Sequence, residues 1–120
     1  MTLNEYQYKA MQTCLPESDN ALYMLLELAE EVGELQGKFS KAIRHGSLEF
    51  NENHHSLSMN ESERVEWREL VKKEIGDILW GVAGISNVLG FSLEDVALAN
   101  ISKLRSRQNR GKIDGAGDVR

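Results

Sequence analysis

Two long stretches of the chain repeat apolar residues at helical spacing, and this most limits how the chain can fold. In the first stretch the steps alternate between four and three residues, through Leu28, Val32, Leu35, Phe39 and Ala42. The second stretch has the same spacing, through Val71, Ile75, Ile78, Val82, Ile85 and Leu89. At about 100° per residue, each set falls within about 40° of one line along a helix. The pattern predicts two long helices that pack together in an all-α bundle of four or five helices.

Four segments have the start and stop signals of helices. Each begins near a polar residue that can cap a helix N-terminus, at Thr2, at Ser18 or Asp19, at Ser58 or Asn60, and at Ser92. Residues 46–60 are polar and without period, which predicts a surface loop between the second and third helices. The predicted helices therefore cover about residues 3–14, 19–44, 61–89 and 93–110. We expect one helical domain over residues 1–110 and a glycine-rich, non-helical tail over residues 111–120.

Length and cysteine usage fit a single domain in a reducing compartment. The 120 residues can bury roughly two-thirds of their unfolded surface, so neither a disulfide nor a structural metal is needed for folding. Cys14 is the single cysteine, which excludes an intrachain disulfide and a cysteine-based zinc site. The N-terminal sequence has no apolar signal core, and no apolar run approaches membrane-spanning length. We expect a cytoplasmic protein without membrane association.

The net charge of −5 argues against binding to a nucleic acid polymer, but the charges are unevenly placed. Carboxylates concentrate on the two long predicted helices. The segment 103–112 instead carries five cations and no acid, namely Lys103, Arg105, Arg107, Arg110 and Lys112. The net charge does not explain why acidic and basic residues are concentrated in different segments.

Each apolar stripe is flanked by two acidic residues three positions apart, within the similar sequences EVGEL and EIGDI. Glu31 and Glu34 lie about 60° and 120° to one side of the first stripe, and Glu74 and Asp77 lie at the same angles beside the second. If the stripes pack together, four carboxylates converge at the edge of the core. Their repulsion is costly unless a cation joins them. Oxygen ligands favour a hard divalent cation, Mg²⁺ or Mn²⁺, that shares its coordination with substrate phosphates.

Other interpretations of the acids remain open from spacing alone. Acidic pairs on helices are commonly just solvated, and a helical interaction module would carry them in that way. A di-iron bundle is disfavoured, because it needs Glu-x-x-His pairs and none of the three histidines has that spacing; these are His45, His54 and His55.

Cationic and polar residues lie on the same helices or beside them. Lys38 follows Glu34 on the same side of the second helix, where it could pair with an acid or meet a phosphate. On the fourth helix, Asn100, Lys103 and Arg107 form a strip beside the apolar face, although basic residues in a last turn also complement the helix dipole. An acidic cluster and a cationic strip together predict metal-assisted chemistry on a polyphosphate. Trp80 lies opposite the core stripe, where a partner subunit or a nucleotide base could cover it.

Several segments resemble the MazG-like all-α nucleoside triphosphate pyrophosphohydrolases. The family pattern has two adjacent glutamates and a third three residues later, matched in LAEEVGELQGKFSKAIRHG by Glu30, Glu31 and Glu34. A glutamate and an aspartate three apart follow on the next long helix, matched in EIGDILW by Glu74 and Asp77. The opening LNEYQ and the end ANISKLRSRQNRGKIDGAGDVR are similar to those of small single-domain, phage-type members. The link between the two acidic helices is longer than in compact members.

The resemblance implies hydrolysis of a nucleoside or deoxynucleoside triphosphate to a monophosphate and pyrophosphate. It implies a Mg²⁺ site, with Mn²⁺ as a substitute, formed by Glu31, Glu34, Glu74 and Asp77. It further implies catalytic roles for Glu30 and Glu34. Nucleotide contacts are expected from Lys38, Trp80, Asn100, Lys103 and Arg107. Relatives work as oligomers, so a homodimer or homotetramer is expected. The alternative is a helical module that binds nucleotide or metal without turnover.

Overall fold

The computed structural model describes residues 1–50 and 55–114. Its helices are α1 (Leu3–Met11), α2 (Ala21–Arg44), α3 (Glu61–Val88) and α4 (Leu93–Asn109). Between them lie a short 3-10 helix (Pro16–Ser18) and two strands, β1 (Leu48–Phe50) and β2 (His55–Leu57). The all-α prediction is confirmed, because four α-helices make up most of the described chain and the strands form only one small hairpin.

Local capping signals determine where three of the helices begin. The predicted cap Thr2 forms a capping box with Glu5 at α1, with the Thr2 Oγ1 accepting from the Glu5 amide at 3.1 Å. Asn60 and Glu63 form a second capping box at α3. Ser92 caps α4 and accepts from the amide of the third helical residue at 3.1 Å. These side chains satisfy amide groups that have no partner inside the helix.

The segment between α1 and α2 differs from the prediction. α1 ends at Met11, three residues earlier than expected, and Pro16–Ser18 form a turn of 3-10 helix. This turn moves the start of α2 to Ala21, where Asn20 accepts from the Tyr23 amide at 2.9 Å. The predicted caps, Ser18 and Asp19, were therefore wrong by one or two residues, because Pro16 favours a short helical turn of its own.

The segment 46–60 is not simply a loop. β1 and β2 pair antiparallel with Leu48 opposite Leu57, and the Ser58 amide donates to the Ser47 carbonyl at 2.9 Å. Leu48 is fully buried and anchors the hairpin close to the end of α2. The loop prediction was wrong for residues 48–50 and 55–57, because three-residue strands are too short to show a period. Residues 51–54 lie outside the described residues.

α2 and α3 run antiparallel and approach each other closely at two glycines of α3. A Cβ at Gly84 would overlap the sulfur of Met24, which is fully buried, and a Cβ at Gly81 would lie 3.3 Å from Leu28. A side chain at Gly84 would have to displace the end of Met24, which is fully buried and therefore surrounded by close-packed atoms. Because Gly81 and Gly84 have no side chains, α2 and α3 can approach each other closely at these positions.

The face that α3 turns inward differs from the predicted stripe. Glu74 is 8% exposed, whereas the next residue, Ile75, is 52% exposed although the stripe placed it in the core. The inward line instead runs through Glu74 and Gly81, about 20° apart on the helix. The prediction was wrong here because periodicity scores apolar side chains, and the closest contact is made by glycine.

α4 leaves the end of α3 at an angle of 101° and is attached mainly to α1. Gln7 of α1 donates to the Phe91 carbonyl and accepts from the Leu93 amide, both at 2.9 Å. Asn4 of α1 accepts from the Glu94 amide at 3.2 Å. Leu93 also packs with Ala10 and Ala83 in a small core at this corner. The first turn of α4 is therefore fixed, while most of its length extends away from α3.

Within the described residues, no single helix is long and apolar enough to cross a membrane. α3 and α4 meet the length and composition criteria only as a bent pair, which is weak support for a span.

Candidate functional site

The antiparallel packing of α2 and α3 brings three of the predicted metal ligands together. Glu31 of α2 and Glu74 and Asp77 of α3 each place a carboxylate oxygen within 4.8 Å of the others. We call these three residues the carboxylate cluster. Glu74 is buried, Glu31 is half-buried and Asp77 is exposed, so the cluster lies at the edge of the helix pair and opens to solvent on one side. A divalent cation with oxygen ligands fits this geometry.

Crowding of negative charge is visible in the properties of Glu31. Burial raises the pKa of its carboxyl group above the usual value, and the charges of Asp77, Glu34, Glu27 and Glu74 raise it further. Burial disfavours the charged form of an acid, and nearby anions do the same. The protein therefore holds Glu31 in an arrangement that a bound cation would relieve.

Glu34 and Glu30 lie beside the carboxylate cluster rather than inside it. Glu34 is exposed one turn beyond Glu31, close enough for its charge to raise the pKa of Glu31. Both glutamates border a surface groove of about 410 Å³, which we call the α2 groove; it is lined by Glu30, Gly33, Glu34, Gly37, Lys38 and Lys41. All of its lining residues belong to α2, and Lys38 is the one that also contacts the carboxylate cluster.

Lys38 joins the α2 groove to the carboxylate cluster. Its Nζ lies 2.9 Å from Oε1 of Glu74, and this hydrogen bond raises the pKa of the lysine above its usual value. The backbone at Lys38 is held from α3, where the Trp67 indole donates to the Lys38 carbonyl at 3.3 Å. Trp67 also packs edge-on against Phe39, with ring centroids 5.1 Å apart. The lysine thus extends from a fixed point of α2.

Sequence reasoning missed one acid that the structure places at the site. Glu27 is half-buried one turn before Glu31, and its charge helps to raise the pKa of Glu31. Its Oε2 is buried and has no hydrogen-bond partner among the described residues. On a helical wheel Glu27 lies about 100° from Leu28, between the directions of Glu31 and Glu34, so the same wheel could have found it. A buried carboxylate oxygen without a partner suits a site that takes up a cation.

Trp80 is covered by its own chain. Its indole N–H donates to the Thr13 Oγ1 at 2.9 Å and to the Ala10 carbonyl at 3.2 Å, and its ring packs against the corner core where α1, α3 and α4 meet. The indole N–H is therefore not available to a nucleotide base, but the ring is only half-buried, so a contact with a partner subunit or a base stays a prediction. The wheel placed Trp80 opposite the predicted stripe, but α1 packs on that side of α3.

The cationic strip of α4 is divided in the structure. Asn100 and Lys103 are exposed, whereas Arg107 is buried at 4% exposure. A groove of about 500 Å³, which we call the α4 groove, is lined by Phe91, Asp95, Val96, Ala99, Asn100 and Lys103. Across the described ranges it shares no lining residue with the α2 groove. Lys103 and the α2 groove thus belong to different surface depressions, whereas Asn100 also lines a cavity with Leu79 and Val82 of α3.

The glycine-rich tail is described only in part. α4 ends at Asn109, and Gly111 takes a positive φ of 63° directly after it, as expected for a helix stop. Residues 115–120 of the predicted non-helical tail lie outside the described residues.

Comparisons with known proteins point to one family. A sequence profile of the MazG nucleotide pyrophosphohydrolase domain matches residues 20–111, which include the carboxylate cluster, both grooves and α4. The chain is 33% identical over 98 residues to the Gene 37 protein of Mycobacterium phage L5, and the alignment covers 82% of this chain and 75% of the phage protein. No solved structure matches the chain.

Proposed function

Because the chain belongs to the MazG nucleotide pyrophosphohydrolase family, we propose that it hydrolyses nucleoside or deoxynucleoside triphosphates to monophosphates and pyrophosphate. The observation that supports this best is the carboxylate cluster, whose three residues occupy three of the five acidic positions of the family pattern. The proposed role is removal of nucleotides from the cellular pool. A cytoplasmic location, expected from the lone cysteine, belongs to the same proposal.

The carboxylates suit a Mg²⁺ ion, with Mn²⁺ as a substitute. Glu31, Glu74 and Asp77 would hold the cation, and Glu34, whose charge acts on Glu31, is proposed as the fourth ligand. When bound, such a cation neutralises charge on the phosphates and activates water. The fit rests on the short distances within the cluster, the raised pKa of Glu31 and the buried Glu27 oxygen, which has no hydrogen-bond partner in residues 1–50 and 55–114.

The residues around the cluster suggest how the reaction proceeds. Glu34 and Glu30 border the α2 groove, where either can accept a proton from an attacking water. The water oxygen would bond to the α-phosphorus while the bond between that phosphorus and the bridging oxygen breaks. Pyrophosphate leaves, and Lys38 contacts its negative oxygens. We assign Trp80 no hydrogen bond to the substrate, because its indole N–H already donates to Thr13 and Ala10.

We further propose that the protein works as a homodimer or homotetramer. Its radius of gyration of 17.7 Å exceeds the value of about 14 Å expected for a compact chain of this length. Leucines on α2 and α4 are more than half exposed, among them Leu22, Leu25, Leu26 and Leu98. A second copy would bury them and could bring the exposed residues of the α4 strip, Asn100 and Lys103, to the acidic half of its neighbour, whereas Arg107 is buried in its own chain. Light scattering on the purified protein measures this, and a monomer at micromolar concentration would contradict it.

Hydrolysis of a panel of triphosphates with Mg²⁺, followed by product identification, tests the proposal. Release of monophosphate and pyrophosphate is expected, and Glu74→Gln should abolish it while the circular dichroism spectrum stays unchanged. Binding of nucleotide without turnover of any member of the panel would instead favour a non-catalytic nucleotide- or metal-binding module. Neither binding nor turnover would leave the acids as merely solvated groups.

A further inference from the structure

We propose that Lys38 takes the place of a cation at Glu74 in the metal-free protein and must release Glu74 for the divalent cation to bind. This inference rests on the proposed function, because it concerns the same cation site. It assigns Lys38 a role beyond contact with phosphate. The lysine would make cation binding and triphosphate binding depend on each other.

The contact that carries the inference is the ion pair between Lys38 and Glu74. The Nζ lies 2.9 Å from Oε1, and the two side chains are 27% and 10% exposed. Glu74 also belongs to the carboxylate cluster, in which ligand oxygens lie within 4.8 Å of one another. The ammonium group and a divalent cation therefore compete for one buried carboxylate. Competition for a shared group lowers the affinity of each competitor.

The Lys38 ammonium group can change position by a rotamer change while the Lys38 backbone stays in place. Trp67 holds the Lys38 carbonyl from α3, and the long side chain is the part free to change rotamer. The other side of the lysine faces the α2 groove, which Glu34 and Lys41 also line. A triphosphate whose oxygens lie in that groove would attract the ammonium group away from Glu74. In the same movement, the Lys38 ammonium group would contact the phosphate oxygens and leave the Glu74 carboxylate free.

The consequence is positive coupling between cation and triphosphate. An anion that draws Lys38 away frees Glu74 and raises the affinity for the cation, and by thermodynamic reciprocity the cation raises the affinity for the anion by the same factor. Removing Lys38 should therefore act in opposite directions on the two ligands. The cation should bind more tightly by itself, and the triphosphate should bind more weakly.

Titration with Mn²⁺ in the absence of nucleotide measures the first effect, using the electron paramagnetic resonance signal of the free ion. Lys38→Met should raise the Mn²⁺ affinity about fivefold or more, the lower end of common coupling strengths. Lys41→Met is the matched control, because it removes the same charge from the same groove one turn away, and it should change the affinity less than about twofold. Lys38→Gln repeats the test with a polar residue of similar size.

Activity assays measure the second expected effect, weaker binding of triphosphate, because Lys38→Met should also raise the KM for triphosphate. Lower or unchanged Mn²⁺ affinity in both Lys38 variants, with folded proteins by circular dichroism, would overturn the inference and leave the proposed function standing. An equal gain in Lys41→Met would also overturn it, because the effect would then be one of general charge. If the unmodified protein neither binds Mn²⁺ nor hydrolyses any triphosphate, the proposed function fails first.

Discussion

The acidic and the cationic halves of this molecule are assembled in different ways. α2 and α3 pack along their length, so that Glu31, Glu74 and Asp77 meet within 4.8 Å in a single chain. α4 turns away from α3 by 101°, and Lys103 lines a separate groove. The comparison teaches that one chain suffices for the proposed cation site. For the nucleotide site we expect a contribution from a second copy.

The first prediction concerns the acidic half and has the largest expected effect. Asp77→Asn should lower kcat/KM by about a thousandfold or more, because it removes a ligand charge from the proposed metal site. Its stability should change by less than about 0.5 kcal/mol, since Asp77 is exposed. Glu69→Gln, an exposed acid two turns earlier on α3, serves as the control and should keep nearly full activity. Steady-state kinetics and thermal melts check both, and an active Asp77→Asn enzyme would contradict the proposed site.

The second prediction asks whether the close approach of α2 and α3 creates the acidic half. Gly84→Val should destabilise the protein by about 2–3 kcal/mol, because its side chain would overlap the buried Met24. Gly76→Ala on the same helix is the matched control. Nothing lies within 4 Å of the added Cβ there, so it should stabilise by about 0.5–1 kcal/mol. Urea unfolding measures both changes, and equal effects would show that the glycines do not set the helix approach.

The close contacts at Gly81 and Gly84 also show which features of the fold the sequence does not predict. Capping boxes at Thr2 and Asn60 were predictable because they depend on residues three positions apart. The rotation of α3, which buries Glu74 and exposes Ile75, was not predictable, because the decisive contact is made by glycine and periodicity counts only apolar side chains.

Within the site, the wheel angles brought Glu31, Glu74 and Asp77 together as the structure does, but they also included Glu34, which lies beside the cluster. They did not reveal that α1 covers Trp80, since that contact joins residues 70 positions apart in sequence. They also did not reveal that Arg107 is buried while Lys103 on the same strip is exposed. Both depend on how the helices are arranged relative to one another, and the periodicity of a single helix gives no information about that arrangement. Glu27 was within reach of the wheel and was overlooked in favour of Glu30.

The third prediction concerns the cationic half. Lys103→Ala should raise the KM for triphosphate about tenfold, the loss expected for one charged hydrogen bond, and leave the Mn²⁺ affinity unchanged. Arg105→Ala is the control, because residue 105 points about 160° away from residue 103 around the helix. Kinetics and Mn²⁺ titration together test whether the halves act separately. A lower Mn²⁺ affinity in Lys103→Ala would contradict the prediction that the acidic and cationic halves act separately.

The fourth prediction has the smallest effect and concerns pH. The raised pKa of Glu31 means that the folded protein binds this proton more strongly than the unfolded chain does. Ionisation of Glu31 therefore destabilises the fold above the raised pKa and has no such cost below the ordinary value of about 4.3. Glu31→Gln should raise the Tm of the metal-free protein at pH 7 by about 2 °C or more, and the gain should vanish near pH 4. Calorimetry in EDTA measures this, and a lower Tm at pH 7 would contradict the account.

The central claim is that the acidic half directs water to the α-phosphorus of a nucleoside triphosphate. Hydrolysis in ¹⁸O-labelled water with Mg²⁺, followed by ³¹P nuclear magnetic resonance of the products, tests it most directly. The account predicts that the label enters the nucleoside monophosphate and that the pyrophosphate remains unlabelled. Label in the pyrophosphate, or release of orthophosphate and a nucleoside diphosphate, would contradict it.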